Sequence, residues 1–122
     1  MRRILVVDDV PEIADLVRRM LSPIGGAVVV AESDPTQALR RLQEERVDLV
    51  VSDFRMPGLD GLTLLQEARR LHPRAGRVLM TGYNELPATP ADIEAAGLGA
   101  TLQKPLDPDW LVATVRRMLS GA

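Results

Sequence analysis

Val47-Asp48-Leu49-Val50-Val51-Ser52-Asp53 is a short β-branched run that stops on a carboxylate. Its apolar residues are continuous rather than alternating, which is the pattern of a strand covered on both faces, as in parallel sheets. Four similar runs lie around it: Ile4 to Val7, Ala27 to Ala31, Arg77 to Met80 and Ala100 to Leu102. Between and after them apolar residues recur at helical spacing. The sets are Ile13, Leu16, Val17, Met20 and Leu21, then Ala38, Leu39 and Leu42. Leu62, Leu65, Ala68 and Leu71 follow, and then Leu111, Val112, Val115, Met118 and Leu119. A β-α unit repeated along the chain predicts an α/β sandwich with a mostly parallel sheet, right-handed crossovers and helices on both faces.

Helix starts are marked by an acid or hydroxyl before a proline. Asp34-Pro35-Thr36-Gln37 reads as a capping box, Asp107-Pro108 and Thr89-Pro90 repeat the signal, and Asp60 stands where it can cap a third helix. The fourth helix is expected to be short and mobile, Pro90 to Ala96. It follows a long loop and is ended by Gly97 and Gly99.

The 122 residues fit one domain, 1–122, large enough for a core of its own. The absence of cysteine excludes disulfide scaffolds, thiolate zinc sites and thiol catalysis, and a single histidine, His72, argues against imidazole-based metal or nucleophile chemistry. A net charge of −2 and three aromatic residues (Phe54, Tyr83, Trp110) give no footprint for direct nucleic-acid binding. No apolar run reaches the roughly 18 residues of a membrane span, and the first apolar stretch is too short for a signal peptide. A cytoplasmic location is the expectation.

Ligands of open parallel sheets bind beyond the carboxyl ends of the strands. Asp8-Asp9, Asp53, Thr81 and Lys104 all stand at such ends. If the first and third strands are neighbours, three carboxylates converge and repel unless a cation compensates. A hard divalent ion such as Mg²⁺ is one compensator. The other is Lys104, the only lysine among 15 basic residues. A compact ammonium suits a crowded anionic site better than a planar guanidinium does. Acids, a hydroxyl and a lysine from separate strand ends form a constellation for phosphoryl transfer, with Asp53 as nucleophile.

These residues resemble the receiver domain of two-component response regulators. The resemblance rests on Ile4-Leu5-Val6-Val7-Asp8-Asp9, on Val51-Ser52-Asp53-Phe54-Arg55-Met56-Pro57-Gly58-Leu59-Asp60-Gly61, on Leu79-Met80-Thr81-Gly82 and on Leu102-Gln103-Lys104-Pro105-Leu106. It implies a flavodoxin-like three-layer (β/α)5 doubly wound fold, strand order 2-1-3-4-5, with a cis Lys104-Pro105 bond. It also implies Asp53 as phosphoacceptor and a Mg²⁺ site of Asp8, Asp9, Asp53 and the backbone carbonyl of Arg55, with Asp8 acting mostly through water. Thr81 is matched to the hydroxyl that turns toward the phosphoryl group and Lys104 to the lysine that pairs with Asp53 or its phosphate.

The partners so implied are a histidine kinase or histidine phosphotransfer protein, together with a downstream protein whose identity the residues do not give. The chain itself is then no turnover enzyme, and is a monomer or a weak phosphorylation-dependent dimer. Thr101 departs from the family, which often carries an aromatic three residues before the lysine; Tyr83 is a candidate substitute.

Alternatives remain open at this point. The chain fits a piece of a longer regulator or hybrid histidine kinase, or a receiver-like binding module with non-standard output. A dehalogenase-type phosphatase is disfavoured, because Val10, Pro11 and Arg55 occupy the places where a second acid is needed. The remaining readings are plain ones. Trp110 belongs partly to the core, His72 is a solvated helix end, and four arginine doublets are solvated helix C-termini. Glu12, Asp15 and Arg19 share an exposed helical face, with an Asp15–Arg19 pair across it.

Overall fold

A computed structural model describes residues 1–82 and 90–120. Strands and helices alternate as β1 (Arg2–Val7), α1 (Pro11–Met20), β2 (Ala27–Glu32), α2 (Pro35–Glu44), β3 (Leu49–Asp53), α3 (Gly61–Leu71), β4 (Gly76–Thr81), α4 (Pro90–Ala96), β5 (Ala100–Gln103) and α5 (Pro108–Leu119). All strand pairings are parallel and the sheet order is β2-β1-β3-β4-β5. The doubly wound sandwich expected from the alternation is therefore the fold.

Side-chain alternation along the central strands feeds two cores. Leu5, Val7 and Val50 turn toward α2, α3 and α4, where Leu42, Leu65 and Ala96 meet them. Ile4, Val6, Leu49 and Val51 turn the other way, toward Val17 of α1 and Leu111 and Val115 of α5. The central strands β1 and β3 are buried on both faces, as continuous apolarity requires. The edge strands β2 and β5 are only half covered, because each has a neighbour on one side alone.

Several boundaries differ from the sequence reading for identifiable reasons. β1 begins two residues before its apolar run, at Arg2, because Arg2 and Arg3 pair with Ala27 and Val28. β3 begins at Leu49: the Asp48 carboxylate accepts the Arg3 backbone N–H at 2.8 Å and closes the strand's start. Asp34 caps α2 through the Thr36 N–H alone, so it is a cap but not a box. Asp60 accepts from Thr63 N–H at 2.8 Å and Asp107 from Asp109 N–H at 2.9 Å, as expected. α4 has the expected seven residues and ends on Gly97 at φ +56°. Thr89, Tyr83 and the loop before α4 lie outside the described residues.

Trp110 corrects the reading of partial burial. It is 66% exposed, because α5 turns Leu111, Thr114 and Val115 inward and leaves position 110 on the open side. His72 also differs. It is half-buried, ends α3, and its Nε2 lies 2.7 Å from the Leu42 carbonyl. The doublets are not all solvated ends either. Arg41 pairs with Glu32 at 2.6 Å and with Glu45, and Arg69 reaches across to α4. The Arg19–Asp15 pair is present at 3.1 Å, with Arg18 sharing the same carboxylate.

Candidate functional site

Register alone brings the acids together. Val7 of β1 pairs with Ser52 of β3, so Asp8 and Asp53 leave adjacent strands at the same level. One carboxylate oxygen from each of Asp8, Asp9 and Asp53 lies within 4.8 Å of the others. Asp8 is fully buried, Asp53 is 6% exposed, and Asp9 is half-exposed. Of the three, Asp9 borders an open cleft of about 550 Å³, lined also by Phe54, Arg55, Met56, Pro57 and Asp60.

β4 and β5 complete the pocket. Asp53 pairs with Met80, and the Phe54 N–H donates to the Met80 carbonyl at 2.9 Å, which sets Thr81 beside the end of β3. Thr81 is 5% exposed. The Lys104 N–H donates to the Thr81 carbonyl at 2.7 Å, so the lysine enters at the same level from β5. Lys104 precedes a cis bond to Pro105, as the resemblance implied. Its Nζ lies 3.0 Å from Asp8 Oδ2 and 2.9 Å from Asp53 Oδ1. The lysine therefore meets both buried acids, as expected of a compensator for the acid cluster, and pairs with Asp8 as well as with the Asp53 that the resemblance implies.

Charge in this pocket is unbalanced toward the acids. Burial pushes the Asp53 carboxyl above its ordinary 3.8; the Lys104 hydrogen bond opposes this, and the Asp8 charge adds to it. Burial would lower Lys104, but its bonds and charge contacts with Asp53 and Asp8 outweigh that and hold it above 10.5. A pocket with oxygen donors from Asp8, Asp9 and Asp53, open on one side, suits a hard divalent cation.

The Asp53 main chain is tightly backed. Gly61 N–H donates to the Phe54 carbonyl at 2.8 Å, and a Cβ on Gly61 would stand 2.1 Å from the Asp53 carbonyl oxygen. Only glycine lets α3 start this close to the site. Asp60, expected as a cap, also lines the cleft, and its position seven residues after an acid-ended strand is the available signal. Arg55 is exposed on the cleft rim.

The response regulator receiver domain family matches residues 4–116. The chain is 35% identical over 118 residues to the hydrogenase transcriptional regulatory protein HoxA of Cupriavidus necator, covering 97% of this chain and 24% of that protein. It is 36% identical over 112 residues to the transcriptional regulatory protein GlrR of Escherichia coli K12, covering 92% of this chain and 25% of that one. The chain thus spans about a quarter of the curated relatives it matches. Among solved structures, a receiver domain protein from Clostridium thermocellum superposes with a TM-score of 0.86 at 26% identity, covering 98% of this chain and 95% of that one. The signal receiver domain of an HD domain-containing protein from Pseudomonas fluorescens Pf-5 gives 0.84 at 32% identity, covering 98% and 94%. With the fold, the acid cluster and these likenesses in agreement, the chain belongs to the response regulator receiver domain family of two-component signalling.

Proposed function

We propose that Asp53 accepts a phosphoryl group from a phosphohistidine of a histidine kinase or histidine phosphotransfer protein. An Asp53 oxygen attacks phosphorus, the P–N bond breaks, and the imidazole leaves with the electron pair. Asp8, Asp9, Asp53 and the Arg55 carbonyl would hold Mg²⁺, which when bound would supply positive charge to neutralise the phosphoryl oxygens. Lys104 contributes a second positive charge, and the Thr81 hydroxyl donates to a phosphoryl oxygen. The carrying observation is the Lys104 ammonium within 3.0 Å of both Asp8 and Asp53, in a cluster that opens to solvent.

Modified Asp53 draws Thr81 and Lys104 inward, and the face formed by α4, β5 and α5 shifts between two populations. A swing from about 1:99 to about 99:1 takes ~5.5 kcal/mol of differential stabilisation, which new bonds from Thr81 and Lys104 to phosphate are suited to supply. The relatives carry transcriptional regulatory names and are about four times longer, which supports output through a further segment or a separate downstream protein. In this reading the chain turns over no substrate of its own.

Phosphotransfer from a radiolabelled donor to the protein tests the assignment. Wild type is expected to label stoichiometrically in Mg²⁺, and Asp53→Asn is expected to stay unlabelled; full labelling of that variant refutes the acceptor. Thr101, exposed on β5 three residues before Lys104, supports a second reading as a receiver-shaped binding module. Beryllofluoride with Mg²⁺ separates the two, since only a working acceptor site holds both.

A further inference from the structure

Seven residues are too few for a helix to hold itself in water. In α4 only Ala96 is buried, with Ile93 packing partly against the core. Beside that apolar anchor, polar contacts from α3 and β4 hold the helix and the Gly97 that ends it. Gln66 Nε2 donates to the Asp92 carbonyl at 3.1 Å. Arg69 Nη1 donates to the Glu94 and Ala95 carbonyls at 2.9 and 3.2 Å. Arg77 Nε donates to the Gly97 carbonyl at 2.9 Å, while its Nη1 is tied to the Ala75 carbonyl at 2.9 Å.

Every acceptor on the α4 side is a main-chain carbonyl, and three of the four lie at the helix's negative end. The two guanidiniums close on one residue: a Cβ at Gly97 would sit 3.1 Å from Arg77 Nη2 and 3.2 Å from Arg69 Cζ. Among the described residues no ion pair joins either arginine to a carboxylate. Burial lowers the Arg77 pKa, and the Arg69 charge lowers it further. Two cations are thus crowded together; carbonyls of α4 take up Arg69, and those of Gly97, Ala75 and Pro73 take up Arg77. Charge-assisted bonds hold the helix, while mutual repulsion makes that hold releasable.

We propose that Arg69 and Arg77 are positioning residues that fix the resting place of α4 and so set how readily the modified acceptor can displace it. The inference rests on the phosphoacceptor reading of Asp53. Arg77 lies in the same strand as Thr81, so grip and switch hydroxyl share β4. A ligand at Asp53 that favours the displaced helix works against the grip. Weakening the grip populates the displaced state, and by linkage that ligand then binds more tightly.

The test uses Arg69→Met and Arg77→Met with beryllofluoride and Mg²⁺ as the phosphoryl mimic, read by calorimetry and by amide hydrogen exchange. Exchange at Ile93 to Ala96 is expected to quicken about tenfold relative to β1 and β3, and beryllofluoride affinity to rise about 5- to 30-fold. A merely structural loosening quickens exchange and leaves the affinity unchanged or lower; that result overturns the proposal, as does unchanged exchange. Arg69 is exposed, so Arg69→Met decides the matter if Arg77→Met fails to fold. Wild type that does not bind beryllofluoride refutes the acceptor reading before any variant is made, and the regulatory role of the arginines falls with it.

Discussion

Lys104 serves two acids at once, and Asp8 has no exposure of its own. Replacing Lys104 with Met leaves a buried carboxylate uncompensated. The expected loss is about 2 kcal/mol by chemical denaturation, below the ~3–5 of fully buried pairs because the lysine keeps partial contact with water. Asp53 carries a pH signature of its own. Its carboxyl is raised by burial, with Lys104 opposing and Asp8 adding. An acid raised in the folded state stabilises fully below its unfolded value of 3.8 and loses that contribution as pH climbs through the folded value. Without metal, the melting temperature of wild type is therefore expected to fall relative to Asp53→Asn as pH rises above the unfolded value of 3.8 and through the raised folded one. A constant gap between the two melting curves contradicts the raised carboxyl. These residues were legible in the sequence because each ends an apolar run and a polar group there has no core role. The bond from Lys104 to Asp8 was not, since it depends on which acid lies deeper.

At the scale of elements, Gly61 ties α3 to the site. Gly61→Ala places a methyl 2.1 Å from a backbone oxygen, which no rotamer change relieves. A loss of about 1–3 kcal/mol is expected, together with weaker Mg²⁺ binding measured by titration. Trp110→Ala is expected to change stability by no more than about 0.5 kcal/mol, because the ring stands in solvent. Strand and helix types followed from local periodicity, and the caps at Asp60 and Asp107 from residue chemistry. Trp110 could not be placed the same way. One apolar residue in a helix's first turn fits either side until the facing strand is known, and β5 is an edge strand that offers little cover. The partners of His72 and Arg69 were hidden for a related reason: both bind main-chain carbonyls of other elements, which leave no mark in the sequence.

The whole molecule is two cores back to back across one sheet, with the acid cluster on its rim. No helix among the described residues is long and apolar enough to cross a membrane. Any cation that binds only the folded pocket stabilises the entire chain. At about 100-fold excess over its dissociation constant, Mg²⁺ is expected to add about 2.7 kcal/mol. Asp9→Ala is expected to abolish that increment while costing little by itself, since Asp9 is half-exposed. Thermal melts with and without Mg²⁺ check both. One feature of the site sets how the molecule must respond to a bulky substituent on Asp53. With α3 seated hard against the peptide behind that residue, the third strand cannot recoil, and the added bulk has to be taken up on the opposite lip, where Thr81 and Lys104 sit. Strain from a substituent on Asp53 is thereby directed one way only, away from the glycine start of α3 and outward along the last two strands.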